Sequence, residues 1–160
     1  QDMQQGGGRI IGEACHMIDL ITYFSGSKVS EVMMSALGTS PEEDSDNAVL
    51  VLKYENGSQG VVNYFANGSK SYPKERVEVY HQGKNILIDN FQSVKGFGYK
   101  GSVNKKGKLD KGHMEQFRQY LNFLASGKAE GLIPFEEIIN TSKTAILAIE
   151  SLKSGQWMKL

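Results

Sequence analysis

The chain has 160 residues, 39% of them hydrophobic and 22% charged, which is the composition of a globular protein and excludes a disordered tail. Eighteen lysines and arginines balance eighteen aspartates and glutamates, so we expect no binding to nucleic acid or to an anionic membrane through overall charge. The single cysteine, Cys15, excludes an internal disulfide, and no apolar run resembles a signal peptide or a membrane span, so we predict a cytoplasmic protein.

The first predicted element is a helix that begins after the three glycines Gly6 to Gly8 and ends at Gly26. Apolar residues recur within it at helical spacing and predict one buried face. The glycines match no dinucleotide or Walker fingerprint, so we interpret them as a flexible helix entry and predict no cofactor-binding residues in this chain. The residues of the predicted buried face are Ala14, Met17, Ile18, Ile21 and Phe24.

His16 is the best candidate for acid–base chemistry in this chain. Glu13 and Asp19 lie three residues before and after it, and on a helix the imidazole could reach either carboxylate. Such a neighbour can tune a histidine as a general acid or base. A structural histidine on the helix face would give the same pattern, so the residues alone leave both interpretations open.

The middle of the chain is predicted to form strands, mainly antiparallel. Val29–Leu37 reads as one strand, and two more flank the turn Glu55–Ser58, where an Asn-Gly pair lies between β-branched and aromatic residues. A second hairpin is predicted from Arg76–Tyr80 and Asn85–Phe91. The Gly- and Lys-rich region 93–111 is predicted to hold one more edge strand and a basic loop.

The turn 66–76 gathers cations next to an aromatic residue. Lys70, Lys74 and Arg76 lie around Tyr72, and such a group could bind a phosphate or sugar hydroxyls. A solvated turn between strands would have the same composition, so this alternative stays open. Neither His81 nor His113 has partners at metal-ligand spacing, and we predict no metal.

The last third of the chain changes to helical periodicity. We predict helices over 112–126 and 134–154, followed by a short strand in QWMKL. The whole chain, 1–160, is therefore predicted as one α+β domain with a mainly antiparallel, open-faced sheet and helices packed on one face. Val49, Val51, Val61, Tyr64, Val77 and Val79 cannot all lie on the covered face, so we expect an apolar open face and a dimer formed through it.

The first helix carries a family resemblance. Its sequence GGGRIIGEACHMIDLITYFSG resembles the signature GGGxLxDxGxHxxDxxxxLxG that opens the C-terminal domain of Gfo/Idh/MocA oxidoreductases, a dihydrodipicolinate-reductase-like fold. VEVYHQGKNILIDNF and FEEIINTSKTAILAIESLKSGQ resemble later family segments in the expected order. GGGRIIGEACH together with KSYPKERVEV is most similar to the bi-domain oxidoreductases found with bacterial polysaccharide biosynthesis.

The resemblance implies a substrate-binding and oligomerisation domain of an NAD(P)-dependent dehydrogenase that acts on a sugar, polyol or nucleotide sugar. An N-terminal Rossmann domain, absent from this chain, would bind NAD or NADP, so we expect residues 1–160 alone to be inactive. His16 matches the family histidine that assists proton transfer. Gly12 occupies the usual aspartate position, from which Glu13 would point about 100° away on a helix. Either Glu13 replaces that carboxylate through a shifted geometry, or the reaction relies on His16 and the catalytic lysine that the resemblance implies in the Rossmann domain.

The remaining candidates are assigned to substrate binding: Asp19, Lys70, Tyr72, Lys74 and Arg76. A competing hypothesis makes the chain a non-catalytic assembly or ligand-binding module that associates through its open sheet. The glycine at position 12 is compatible with that hypothesis. The two hypotheses differ in what they expect of His16, which only an enzyme requires.

Overall fold

The computed structural model describes residues 6–129 and 131–160 and divides the chain into two compact units. The first unit takes in the residues up to Asn67 together with Ile133–Leu160, and the second is Gly68–Leu132. The elements in chain order are a π-helical turn Ile10–Ala14, helix α1 Cys15–Ser25, strands β1 Val29–Ala36, β2 Asn47–Tyr54, β3 Gln59–Phe65, β4 Arg76–His81, β5 Lys84–Asp89, β6 Ser93–Phe97 and β7 Val103–Lys106, helices α2 His113–Ser126 and α3 Phe135–Ser154, and strand β8 Met158–Lys159.

The first unit is an antiparallel sheet of order β3-β2-β1-β8 with helices on one side. Along β2 every second residue is buried, as expected of a sheet covered on one face only. Leu50 lies opposite Met34 and Leu52 opposite Val32, and α1 and α3 complete the core over these pairs.

The start of α1 is unusual because it continues a π-helical turn. Ile10, Ala14, Ile18 and Thr22 are all buried and follow one another at intervals of four residues. Four residues of a regular α-helix turn through about 400°, so such a line drifts by about 40° at each step. The wider turn, with hydrogen bonds to the fifth residue, reduces this drift between Ile10 and Ala14 and keeps both against the sheet.

The second unit contains an antiparallel sheet of order β4-β5-β6-β7 and helix α2. The register pairs Val77 with Ile88 and Val79 with Ile86, which places these apolar side chains on one face. None of the residues of α2 is buried, although its apolar residues recur at helical spacing.

The predicted α+β fold with mainly antiparallel strands is confirmed, and both hairpins and the terminal strand are present. The strands form two four-stranded sheets where the sequence suggested one, and region 93–111 contains two strands, β6 and β7. Alternation within a strand fixes which face a residue lies on but carries no information about which strand is its neighbour. In the described residues, no helix combines the length and apolar character needed to cross a bilayer.

Candidate functional site

His16 lies in the first turn of α1 and is exposed. It is two residues from both Ala14 and Ile18, which are fully buried. Two residues of a helix turn through about 200°, so the imidazole points away from the core on the side opposite this line. A packed core histidine is therefore not what the structure contains, and the ring is accessible to a reactant.

Asp19 interacts electrostatically with His16. Burial raises the pKa of Asp19, and the charge of His16 acts in the opposite direction. The two residues are three apart on α1, where side chains face each other. This electrostatic interaction links one of the two carboxylates that the spacing placed within reach of the imidazole.

Glu13 has a partner that the sequence did not indicate. The hydroxyl of Tyr64 on β3 donates a hydrogen bond of 2.7 Å to Oε2 of Glu13 in the π-helical turn. Partial burial and this bond to a carboxylate together raise the pKa of Tyr64 to about 12. In the sequence analysis Tyr64 stood only as one of the apolar strand residues, and no local pattern connected it with Glu13.

Arg9 adds a positive charge to this group. Its guanidinium lowers the pKa of Tyr64, against the larger effects of burial and Glu13. Nε of Arg9 lies 3.7 Å from Oδ2 of Asp46. That nitrogen is enclosed and has no hydrogen-bond partner among the described residues. The start of the first helix therefore combines a cation, a carboxylate and a protonated phenol.

The residues predicted in the turn 66–76 belong to the second unit, whereas His16, Glu13 and Asp19 belong to the first. Lys70, Tyr72 and Lys74 are exposed. Arg76 lies in β4, where its Nε donates a 2.8 Å hydrogen bond to Glu78. The charge of Arg76 is thus partly neutralised, and the two lysines are the better candidates for contacts with an anion.

Cys15 lies next to His16 but does not have the character of a nucleophile. The thiol is half-buried, and burial raises its pKa, which disfavours the reactive thiolate. Over the stretches 6–129 and 131–160, no group of three or more histidine, cysteine or carboxylate side chains is arranged to hold a metal ion. The chemistry that this region offers is hydrogen bonding and proton transfer.

Comparison with known proteins gives a family and a fold. The family described as GFO/IDH/MocA C-terminal domain matches residues 1–86. No curated protein sequence matches the chain. Among solved structures, an NAD binding oxidoreductase from Klebsiella pneumoniae is similar over 99% of this chain and 52% of its own, with a TM-score of 0.79 and 14% identity.

Two further structures have the same fold. An aldose-aldose oxidoreductase from Caulobacter crescentus, complexed with glycerol, covers 99% of this chain and 50% of its own, with a TM-score of 0.76 and 13% identity. An oxidoreductase from Agrobacterium radiobacter, in complex with NAD+, L-tartaric acid and magnesium, covers 92% and 47%, with a TM-score of 0.74 and 16% identity. The chain therefore spans about half the length of each of these structures.

Proposed function

The chain belongs to the GFO/IDH/MocA C-terminal domain family, and from this premise we propose that it is the substrate-facing domain of an NAD(P)-dependent oxidoreductase. The substrate class is a sugar, polyol or nucleotide sugar, and a second, nucleotide-binding domain of the parent protein carries the cofactor. The observation that carries this proposal is the exposed imidazole of His16 at the family motif, on a helix whose opposite face is anchored in the core.

The described residues of this chain do not themselves fit a dinucleotide. Dinucleotide-binding folds use parallel strands, with a glycine-rich turn between a strand and a helix. Here the four strands of each sheet pair antiparallel throughout, and no described strand leads into the turn at Gly6 to Gly8. The nicotinamide, where bound by the parent protein, supplies the hydride chemistry. This chain contributes binding and proton handling.

In this proposal His16 exchanges a proton with the substrate oxygen, because a neutral imidazole can accept or donate one near neutral pH. Asp19 lies beside it on α1 and stabilises the protonated ring when that forms. Glu13, held by Tyr64, supplies a second carboxylate at the same end of the helix. Lys70, Tyr72, Lys74 and Arg76, in the second unit, stay proposed as substrate-binding residues.

The direct test is His16→Ala and His16→Asn in the full-length parent protein. We expect both variants to lose about 100-fold or more in kcat while their unfolding curves match the wild type, since an exposed side chain contributes little to folding. Wild-type turnover in both variants would refute the proposal. A second measurement titrates NADH into the chain 1–160, and saturable binding there would contradict the assignment of the cofactor to another domain.

The open face of the first sheet supports a second role, which is assembly. Met33, Val51 and Val61 lie in one cross-strand row on the face opposite the helices, and Val61 is 54% exposed. The next row contains Glu31 and Lys53, joined by a 2.7 Å ion pair. An apolar row bordered by charges is typical of a two-fold interface, so we propose that two copies associate through this face.

This second role is tested by introducing a charge into the row. Val61→Lys should convert a dimer to a monomer in sedimentation experiments, because two copies of the charge would be buried close together. Ile146→Lys, on helix α3 where Ile146 is 52% exposed, is the matched substitution and should leave the dimer intact. If assembly were the only function, His16→Ala would leave every activity of the parent intact, which separates the two candidates.

A further inference from the structure

The hydrogen bond between Tyr64 and Glu13 joins two elements that are far apart in sequence. Tyr64 lies near the end of β3, opposite Ala48 of β2, and its ring packs against the hydrophobic core. Its hydroxyl reaches the π-helical turn and donates to Oε2 of Glu13 over 2.7 Å. Glu13 is exposed, and this hydrogen bond connects its side chain to a residue that packs against the core.

The direction of this hydrogen bond follows from the charge states of the Tyr64 phenol and the Glu13 carboxylate. The phenol keeps its proton throughout the neutral range, because burial and the neighbouring carboxylate raise the pKa of Tyr64 to about 12. A phenol that donates to a charged oxygen forms a stronger hydrogen bond than a neutral pair does. A free glutamate side chain would sample several rotamers, whereas this one is held in a single arrangement.

Glu13 directly follows Gly12, and the absence of a side chain at Gly12 determines the role that we assign to Glu13. Gly12 lies four residues before His16, where the family signature has an aspartate, and Glu13 lies three residues before it. A carboxylate on this turn acts on His16 only if its orientation is maintained. The bond from Tyr64 provides that orientation from outside the helix.

We propose that Tyr64 is a positioning residue, which holds the carboxylate of Glu13 at the start of α1 so that it replaces the side chain that Gly12 lacks. The inference rests on the proposed function, because it assigns Glu13 to the reaction through His16. Tyr64 itself does not contact the substrate. Its contribution is to reduce the number of arrangements that Glu13 adopts before the reaction.

The first test measures the coupling in the chain 1–160 itself. Tyrosine labelled with 13C at Cζ is titrated with base by NMR, and the Tyr64 signal is assigned by its loss in Tyr64→Phe. In Glu13→Gln the signal should titrate at lower pH, because the charge and the hydrogen bond that raise the phenol pKa are weakened. An unchanged titration in Glu13→Gln would overturn the proposal.

The second test measures kinetics in the parent protein. We expect Tyr64→Phe to lower kcat about tenfold with KM changed less than about twofold, and Glu13→Gln to do the same. The double variant should be no worse than either single one, since both remove one interaction. Wild-type kcat in Tyr64→Phe, or additive losses in the double variant, would overturn the proposal. Because Glu13 is exposed, the Glu13→Gln variant keeps the test valid if Tyr64→Phe folds poorly.

The matched control is Tyr80→Phe. Tyr80 also donates to a glutamate, Glu78, over 2.6 Å, but it does so on β4 of the second unit. Removal of that hydroxyl should leave kcat within about twofold of the wild type. A tenfold loss there would show that the kinetic effect is not particular to Tyr64 and would overturn the assignment.

A substitution at Gly12 should restore kcat in the Tyr64→Phe variant, which would not be expected if Tyr64 had a merely structural role. Among the described residues, a Cβ at position 12 would meet only the carbonyl oxygen of Gly6, at 3.8 Å, so a side chain fits there. Gly12→Asp in the Tyr64→Phe background should restore kcat at least threefold, whereas Gly12→Asn should not. Equal effects of Asp and Asn would overturn the proposal. If the proposed function itself were wrong, His16→Ala would keep full turnover while Glu13→Gln still lowered the pH at which Tyr64 titrates.

Discussion

The side chain of Asn140 on α3 pairs with the backbone of Val29, the first residue of β1. Its Oδ1 accepts from the Val29 amide over 2.9 Å, and its Nδ2 donates to the Val29 carbonyl over 3.0 Å. Through these two bonds, one amide side chain pairs with both the N–H and the C=O group of Val29, as a neighbouring strand would. They connect the last helix to the first strand across 111 positions.

Asn140→Asp should destabilise the chain because the carboxylate can still accept from Val29 but can no longer donate to its carbonyl. The free energy of unfolding should fall by about 1–3 kcal/mol, as for other half-satisfied buried polar pairs. Urea unfolding followed by circular dichroism measures this. Asn122→Asp, on the exposed surface of α2, is the matched control, and an equal loss in both would contradict the role of Asn140.

Gly60 is a position where an added methyl group would overlap a neighbouring side chain. A Cβ there would lie 2.6 Å from Cγ2 of Ile21 on α1, within the covered side of the sheet. Gly60→Ala should therefore lower the stability of the fold by about 1–3 kcal/mol through overpacking.

The clash at Gly60 can be relieved from the other side. In the double variant Gly60→Ala with Ile21→Ala, the combined loss should be smaller than the sum of the two single losses. Gly107→Ala provides the control, since no atom of residues 6–129 or 131–160 lies within 4 Å of a Cβ at that loop position. Strict additivity of the two changes would show that Ile21 is not the obstacle.

Asp19 makes the stability of the domain depend on pH. Its pKa is raised above the ordinary value of 3.8 by burial, so the folded state binds the proton more tightly than the unfolded state does. The stability associated with this group is therefore fully present below about pH 3.8 and is lost as the pH rises through the folded-state pKa.

Asp19→Asn removes this dependence. The melting temperature of the variant should exceed that of the wild type at pH 7 and match it at about pH 3. Asp44→Asn, at an exposed position, should change neither. A melting temperature below wild type at pH 7 would mean that attraction to His16 outweighs the cost of burying the Asp19 carboxylate, and it would contradict the raised pKa.

Lys70 and Lys74 lead to a prediction about an anionic substrate of the parent protein. Replacing both by alanine should raise KM by about threefold to tenfold at low salt, with kcat little changed, and the effect should shrink at high salt. Arg76→Ala should have a smaller effect because Arg76 is paired with Glu78. Lys100→Ala with Lys108→Ala serves as control, and a KM that is the same in all variants would remove these lysines from substrate binding.

Much of the fold could be predicted from local patterns. Alternation in β2 and β3 and the Asn-Gly turn identified the first hairpin, and helical spacing with a terminal glycine identified all three helices. The division into two sheets could not be predicted, because local patterns do not show which strands pair, and β3 and β4 belong to different sheets although they follow each other in the chain. The π-helical turn was also missed, since the residues 10–14 look like any amphipathic segment.

The candidate site shows the same limit. The spacing of Glu13, His16 and Asp19 predicted that they would share one end of a helix, and they do. Tyr64 comes from a strand 51 positions away, and no feature of its surroundings in the sequence marks it. Residues brought in by tertiary packing are those that local patterns cannot indicate.

The π-helical turn also affects how this segment can change during evolution. A π turn accommodates one residue more than an α turn, so loss of a single residue there would leave a continuous α-helix with Ile10 and Ala14 still on its inner side. The helix therefore does not fix the number of residues between the glycines and His16. When related sequences are aligned over this turn, a one-residue gap between Gly12 and His16 is physically acceptable, and it would shift Gly12 by one position relative to the histidine.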